Sequence, residues 1–225
     1  MKVSVIIPVY NEEKYIGACL DSLRNQSEPP DEIIIVDNNS TDACTKIIRL
    51  YKEVILVKER IQGMSPARNK GFNTATGDIL VRIDADTRLS PDWIKYVKKD
   101  FQKAHVVGVT GPTIFYDIKR KVPISKLHNA VYFKVLPKFY GYILLMGANM
   151  AIRKTVWEKI RNEICNDDSK IHEDIEITTH IAEHGKIVFD PHLKAEISAR
   201  RLMKHPYSIV EYPLRWARSF AKDRL

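Results

Sequence analysis

Asp84-Ala85-Asp86 places two carboxylates at i and i+2. At the end of a strand such a pair can hold one hard divalent ion through one or both acids, leaving coordination sites for diphosphate oxygens and water. A second acidic group, His172-Glu173-Asp174, opens a helical pattern that runs toward His184-Gly185. Acids at a helix start complement its dipole. The same carboxylates can act as a general base, which contributes ~10²–10⁴-fold in rate when it takes a proton from an attacking hydroxyl. What is missing narrows the ligand: no GxGxxG follows the first apolar run and no GxxxxGK[ST] occurs anywhere. Neither a dinucleotide fingerprint nor a P-loop holds phosphate here, so it must be held otherwise, and the paired aspartates offer a way.

These acids need a scaffold that gathers them. The first half of the chain alternates short β-branched runs with helical patterns, as βαβ units around a parallel sheet do. Residues 3–7, 32–36, 54–57, 79–83 and 106–110 read as strands. Asn11 is placed to cap the first helix, in which Tyr15, Cys19 and Leu23 share a face. Ser40 or Thr41 would cap a second, to about residue 51, and Ser65-Pro66 and Ser90-Pro91-Asp92 are start signals for two more, the latter over residues 93–104. In open parallel sheets ligands bind outside the carboxyl ends of the strands. Those ends are Pro8-Val9-Tyr10-Asn11-Glu12, Asp37-Asn38-Asn39-Ser40, Glu59-Arg60 and Asp84-Ala85-Asp86, so four strands deliver polar groups to one edge.

Beyond Gly111, residues 112–138 show no clear period and are expected to be variable and acceptor-facing. Order returns with a strand over residues 147–153 feeding a helix to about 163. A helix over 173–184, strands over 187–189 and 195–198, and a helical pattern from Tyr207 follow. With no linker or repeat, the expectation is one α/β domain over residues 1–225 with a mostly parallel central sheet flanked by helices.

The 225 residues carry a net charge of +8, which suits nucleic acid, an anionic membrane surface or phosphorylated small molecules. No helix-turn-helix, RRM or zinc-finger pattern is present, and acids at the ligand edge would repel phosphate without a metal, so no nucleic-acid partner is expected. The three cysteines form no CxxC pair, which excludes a structural zinc site and points to a reducing compartment. The start, MKVSVIIPVYNEE, reads as a strand and not a signal peptide, and the longest apolar stretch, residues 139–152, falls short of the ~20 residues of a spanning helix. A cytoplasmic protein is expected, with Lys119-Arg120-Lys121, Lys204 and the pattern over residues 207–225, carrying Trp216 and Phe220, able to rest on an anionic membrane face.

Five ordered segments, VSVIIPVYNEEKYIGACLDSLRNQ, EIIIVDNNSTDACTKII, SPARNKGFNTATGDILVRIDADT, GANMAIRKTVWEKI and HEDIEITTHIAEHGKIVFDP, together resemble the inverting family 2 glycosyltransferases of the GT-A (Rossmann-like) fold over nearly the whole chain. The resemblance implies a nucleotide-sugar-binding half over residues 1–111 and an acceptor and catalytic-base half over 112–225. Pro8, Tyr10 and Glu12 would line the nucleotide pocket, Asp37 would accept from base or ribose, and Arg68 would approach the phosphates. Asp84 would orient the donor ribose or sugar and Asp86 would be the main ligand of Mg²⁺ or Mn²⁺. Asp174 would be the base, with Glu173 beside it. Arg200 and Arg201 would close over the diphosphate, and His192 or His205 could complete the metal site. The donor would be a UDP- or GDP-linked sugar and the acceptor a sugar, lipid-linked or protein-linked hydroxyl; the alternative is a polyprenyl-phosphate acceptor at the membrane, as in enzymes of the dolichol-phosphate mannose synthase type. Departures from the family are His172, His180 and Tyr212-Pro213-Leu214-Arg215-Trp216, where Tyr replaces the Gln of QxxRW and argues against processivity.

Overall fold

Val3–Val9 is buried along its whole length, the pattern of an interior strand covered on both faces. A computed structural model describes residues 1–165, 167–168 and 172–200. In chain order its elements are β1 (Val3–Val9), α1 (Ile16–Arg24), β2 (Glu32–Asp37), α2 (Cys44–Ile48), β3 (Val54–Lys58), α3 (Met64–Thr74), β4 (Ile79–Arg82), β5 (Arg88–Leu89), α4 (Trp93–Asp100), β6 (Val106–Thr110) and β7 (Thr113–Phe115). Then come α5 (Lys121–Ala130), a π turn (Val131–Val135), α6 (Leu136–Tyr140), β8 (Met150–Arg153), α7 (Lys154–Ile160), α8 (Glu173–Ala182), β9 (Lys186–Phe189) and β10 (Ala195–Ile197).

Seven strands form the central sheet in the order β3-β2-β1-β4-β8-β6-β9, parallel except for β8, which runs against both neighbours. The expected fold class holds. Alternation along the strands builds two cores. Val3, Val5, Ile7 and Val9 pack with α1, α2 and α4 on one face; Ile6, Ile34 and Val36 pack with α3, α7 and α8 on the other. On the second face α3 lies directly on β1, because a Cβ at Gly71 would come within 2.3 Å of Ile6 Cγ2. Arg68 and Phe72 share that buried helix face.

The order turns at β1, which has β2 on one side and β4 on the other, and a crevice opens at such a switch point. The β1–β4 ladder stops at Ile6↔Arg82, while β1 continues beside β2 through Pro8↔Val36 and Val9↔Asp37. Pro8, with no N–H to give, falls where β4 has already left, so the chain after Arg82 is free to carry Asp84 and Asp86 away from the sheet.

Several local expectations are corrected. Asn11 does not cap a helix: it adopts φ 55, and its Oδ1 accepts from the backbone of Thr41 at 2.8 Å, tying the first loop to the second, while α1 begins at Ile16. Neither Ser40 nor Thr41 caps α2, which is shorter than expected; Asp42 accepts from Cys44 N at 3.0 Å. Ser65 and Pro66 sit inside the first turn of α3, whose N-terminal amides are met instead by Asp168, 2.7 Å from Met64 N. Helix α4 ends at Asp100 and α7 at Ile160, both short of the reading from sequence. Residues 112–138 are largely ordered elements: β7 joins β5 and β10 in a second, three-stranded sheet, and α5 to α6 form a helical run. Their periodicity is masked because the outer face of that run is as apolar as the inner one. Among the described residues no helix is long and apolar enough to cross a membrane.

Candidate active site

A cleft opens between the carboxyl ends of β1 and β4. Pro8, Tyr10, Glu12 and Asp84 line it, facing Gln62, Gly63 and Met64 at the start of α3. Asn38 fixes the far wall. It is buried, donates through Nδ2 to the carbonyls of Glu59 (3.0 Å) and Ile61 (2.7 Å), and accepts from Gly63 N (2.9 Å). Asp37, beside it, is also buried, and its Oδ1 accepts from Ser40 N at 3.0 Å, so one of its oxygens shapes the turn behind the cleft.

Through Asp84 the cleft connects to an ionic cluster centred on Arg82, the last residue of β4. Its guanidinium, 3% exposed, reaches Asp84 at 2.9 Å, Glu173 at 2.6 Å and Asp174 at 2.8 Å. The two acidic motifs, far apart in sequence, therefore meet on one arginine. Arg68 is fully buried and pairs with Glu173, so its guanidinium is directed at the acids at the start of α8. The cluster sets two cations against three carboxylates, leaving one negative charge in surplus. Glu173 lies between both arginines. Burial works against its ionised form, yet Arg82 and Arg68 outweigh this and hold its carboxyl down at about 2. Asp174 carries the surplus: burial, and after it the neighbouring Glu173 charge, push its carboxyl up to about 8 against the pull of Arg82.

Gly147 makes this approach possible. Its N–H bonds to Asp174, and a Cβ on it would lie 1.3 Å from Arg82 Nη1 and 2.4 Å from Asp174 Oδ1. Gly147→Ala is expected to force the ion pair apart and cost about 1–3 kcal/mol, the usual range for overpacking a tight interior. Denaturant unfolding checks this; an unchanged midpoint would mean that the arginine has room to move.

At the cleft mouth a second cluster forms around Arg200. Its Nη2 is 2.5 Å from Glu12 and 3.1 Å from Asp86, and its guanidinium lies over the Tyr15 ring at 4.2 Å. Asp117 holds the approach by accepting from Ala199 N at 2.7 Å and from the Ser198 hydroxyl. Burial opposes the Arg200 charge, but Glu12 and Asp86 keep it firmly protonated. A cation thus already stands between Glu12, which lines the cleft, and Asp86. Glu12 Oε2 is buried with no hydrogen-bond partner. Hard oxygen donors, one of them unsatisfied, suit Mg²⁺ or Mn²⁺. Among the described residues no group of three or more His, Cys, Asp or Glu that could hold a metal ion is present.

His192 is held elsewhere: its Nδ1 is 2.8 Å from Asp190 and its ring stacks on Tyr96 at 4.7 Å. Arg201, His205 and the Tyr212–Trp216 motif lie outside the described residues. Sequence reasoning gave no site role to Arg82, Gly147, Tyr15 or Tyr116, and placed Asn38 only among the polar residues at a strand end. Only Arg82 gave a plain signal, a charge inside the apolar run ILVRI. Tyr116, in the stretch without a period, has a buried hydroxyl with no hydrogen-bond partner, pushed up to about 12 by burial and next by Asp86.

Comparison with known proteins gives consistent matches. The family described as Glycosyl transferase family 2 matches residues 4–161. Glycosyltransferase GlyA of Streptococcus pneumoniae is 34% identical over 114 residues, 48% of this chain and 16% of that one. Poly(ribitol-phosphate) beta-glucosyltransferase of Bacillus spizizenii is 33% identical over 126 residues, 49% of this chain and 20% of that one. The chain thus spans a fifth or less of these two relatives. Among solved structures, mannosyltransferase PcManGT of Pyrobaculum calidifontis, in complex with GDP-Man and Mn²⁺, superposes with a TM-score of 0.77 at 23% identity, covering 99% of this chain and 64% of that one.

Proposed function

Since the chain belongs to glycosyl transferase family 2, we propose that it transfers a sugar from a UDP- or GDP-linked donor to a hydroxyl acceptor, with inversion at the anomeric carbon and with Mg²⁺ or Mn²⁺. The observation that carries this reading is the meeting of Asp84, which lines the cleft, and Asp174 on the Arg82 guanidinium, at 2.9 and 2.8 Å. A group suited to hold the donor and a group suited to deprotonate the acceptor thereby share one site. The likeness to a structure holding GDP-Man and Mn²⁺ supports the same class of donor and ion.

On this reading residues 1–111 bind the donor. Pro8, Tyr10 and Glu12 line the nucleotide cleft, with Asp37 and Asn38 behind it, and Asp84 orients the ribose or sugar. Asp86, with Glu12 nearby, would hold the ion, which when bound would supply positive charge against the departing diphosphate. Arg200 adds a second cation at the same place. Residues 112–225 receive the acceptor. Asp174 takes the proton of the acceptor hydroxyl, the oxygen bonds to the anomeric carbon, and the electron pair of the broken C–O bond leaves on the diphosphate. With a single base opposite the leaving group, the sugar inverts. Glu173, kept ionised by two arginines, holds Arg82 in position and would contact the acceptor or the donor sugar. The free cysteines Cys19, Cys44 and Cys165 fit a reducing compartment, and we place the protein in the cytoplasm.

The test is nucleotide binding with and without Mn²⁺. A cognate UDP- or GDP-sugar should raise the melting temperature in a metal-dependent way, as any ligand of the native state does. Asp86→Ala should weaken metal-dependent nucleotide affinity by about tenfold or more, in line with the loss of a hard oxygen ligand. Undiminished metal-dependent binding in this variant would remove Asp86 from the ion site. If no nucleotide sugar stabilises the wild type, the donor reading falls.

A further inference from the structure

Among the described residues, six of the eleven large apolar side chains left exposed fall between positions 122 and 139. Leu127 and Phe139 are 67% and 65% exposed, and with Ile124, Val131 and Val135 they recur every three or four residues along the run of α5, π turn and α6. That spacing puts them on one helical face. Ser125, Tyr132 and Phe133, on the other side, are buried, so the stripe faces outward. The same stretch is strongly basic. Lys119, Arg120, Lys121, Lys126, Lys134 and Lys138 lie between residues 118 and 140, and no Asp or Glu does.

We propose that residues 119–139 seat the protein on an anionic membrane surface and that the acceptor reaches Asp174 from that bilayer, as the hydroxyl of a lipid-linked molecule. An apolar stripe flanked by amines sinks into the headgroup boundary while the lysines meet lipid phosphates. A second copy of the same face would set lysines against lysines, an arrangement that like-charge repulsion disfavours. The inner side of this helix is bonded to the catalytic one. Tyr132 Oη donates to Leu145 O at 2.8 Å, Leu145 N donates to Thr178 Oγ1 at 3.1 Å, and Thr178 Oγ1 donates to Asp174 O at 2.5 Å. Burial, with the charges of Asp174 and Glu173 next, drives the Tyr132 hydroxyl well above its ordinary range, as expected for a phenol close to both acids. The helical run that carries the stripe and the helix that carries the proposed base are thus joined through Tyr132, Leu145 and Thr178. The acceptor assignment rests on the function proposed above; the docking surface does not.

Flotation of the full chain with vesicles tests it, comparing phosphatidylcholine containing phosphatidylglycerol with phosphatidylcholine alone, at low and high salt. Wild type should float with the anionic vesicles, less so at high salt. Leu127→Glu with Phe139→Glu, and separately Lys134→Glu with Lys138→Glu, should each lower partitioning by about tenfold or more. Both should keep the wild-type melting temperature and acceptor-free hydrolysis of the donor sugar. Failure of wild type to float at low salt overturns the proposal, as does flotation of both variants at the wild-type level. A dimer that Phe139→Glu dissociates, without vesicle binding, would assign the stripe to a second copy instead. Wild type that floats but neither binds nor hydrolyses a nucleotide sugar would bring down the proposed function and leave the surface standing.

Discussion

Asp174→Asn is expected to lower sugar transfer by about 10²–10⁴-fold, the contribution of a positioned general base, while leaving metal-dependent donor binding close to wild type. Asparagine keeps the shape of the side chain but cannot take a proton, and it reaches the donor cleft only by way of Arg82, whose other amine still holds Asp84. The wild-type pH profile carries a second signature. Because Asp174 is pushed up to about 8, kcat/KM should rise with pH below that value and level off above it, as the free enzyme loses the proton its base must shed. Stability moves the other way. A carboxyl whose folded-state value is raised contributes stability that is fully present below its unfolded value and lost as pH climbs through the folded one. Wild type therefore loses stability between about pH 4, the ordinary value of an unfolded aspartate, and pH 8, and Asp174→Asn escapes that loss. In denaturant melts the variant should gain on wild type from pH 5 to pH 9. Retained transfer, or a variant that loses donor affinity as steeply as turnover, would take Asp174 out of the role of base.

How much of this was legible in the sequence differs residue by residue. Strands β1 and β2 were plain because interior parallel strands are apolar runs rich in β-branched residues, and the acids at their ends could be read off once a parallel sheet was inferred. Caps were not, since they depend on distant partners. Asn11 satisfies the loop of Thr41, and α3 is capped by Asp168, 103 positions after Ser65. The helical run from residue 121 was missed because it carries apolar side chains on both faces and Pro123 and Pro137 in its first turns, which removes the contrast that periodicity depends on. Arg82 was in plain view. A guanidinium inside an interior strand must find carboxylates, and those it finds belong to the two acidic motifs.

That arginine is also where substitution should do the most structural damage. Arg82→Met keeps much of the side-chain volume but leaves Asp84, Glu173 and Asp174 with Arg68 alone, which touches only Glu173 among them. Removing one partner from a buried ionic cluster costs about 3–5 kcal/mol because the remaining charges stay buried and uncompensated. For a chain of this size that is a fall of about 10 °C in melting temperature. The catalytic consequence has its own readout. Arg82 is the charge that opposes burial and Glu173 at Asp174, so without it the Asp174 carboxyl rises further. The alkaline shoulder of kcat/KM should then move to higher pH, and turnover at neutral pH should fall more than donor affinity does. Arg82→Lys is the control, because an ammonium keeps the charge but lacks the planar fork that serves Asp84 and Asp174 together. It should recover part of the stability and little of the rate. If Arg82→Met instead melts with wild type and keeps its pH profile, the arginine is neither the neutraliser of this cluster nor the link between donor site and base.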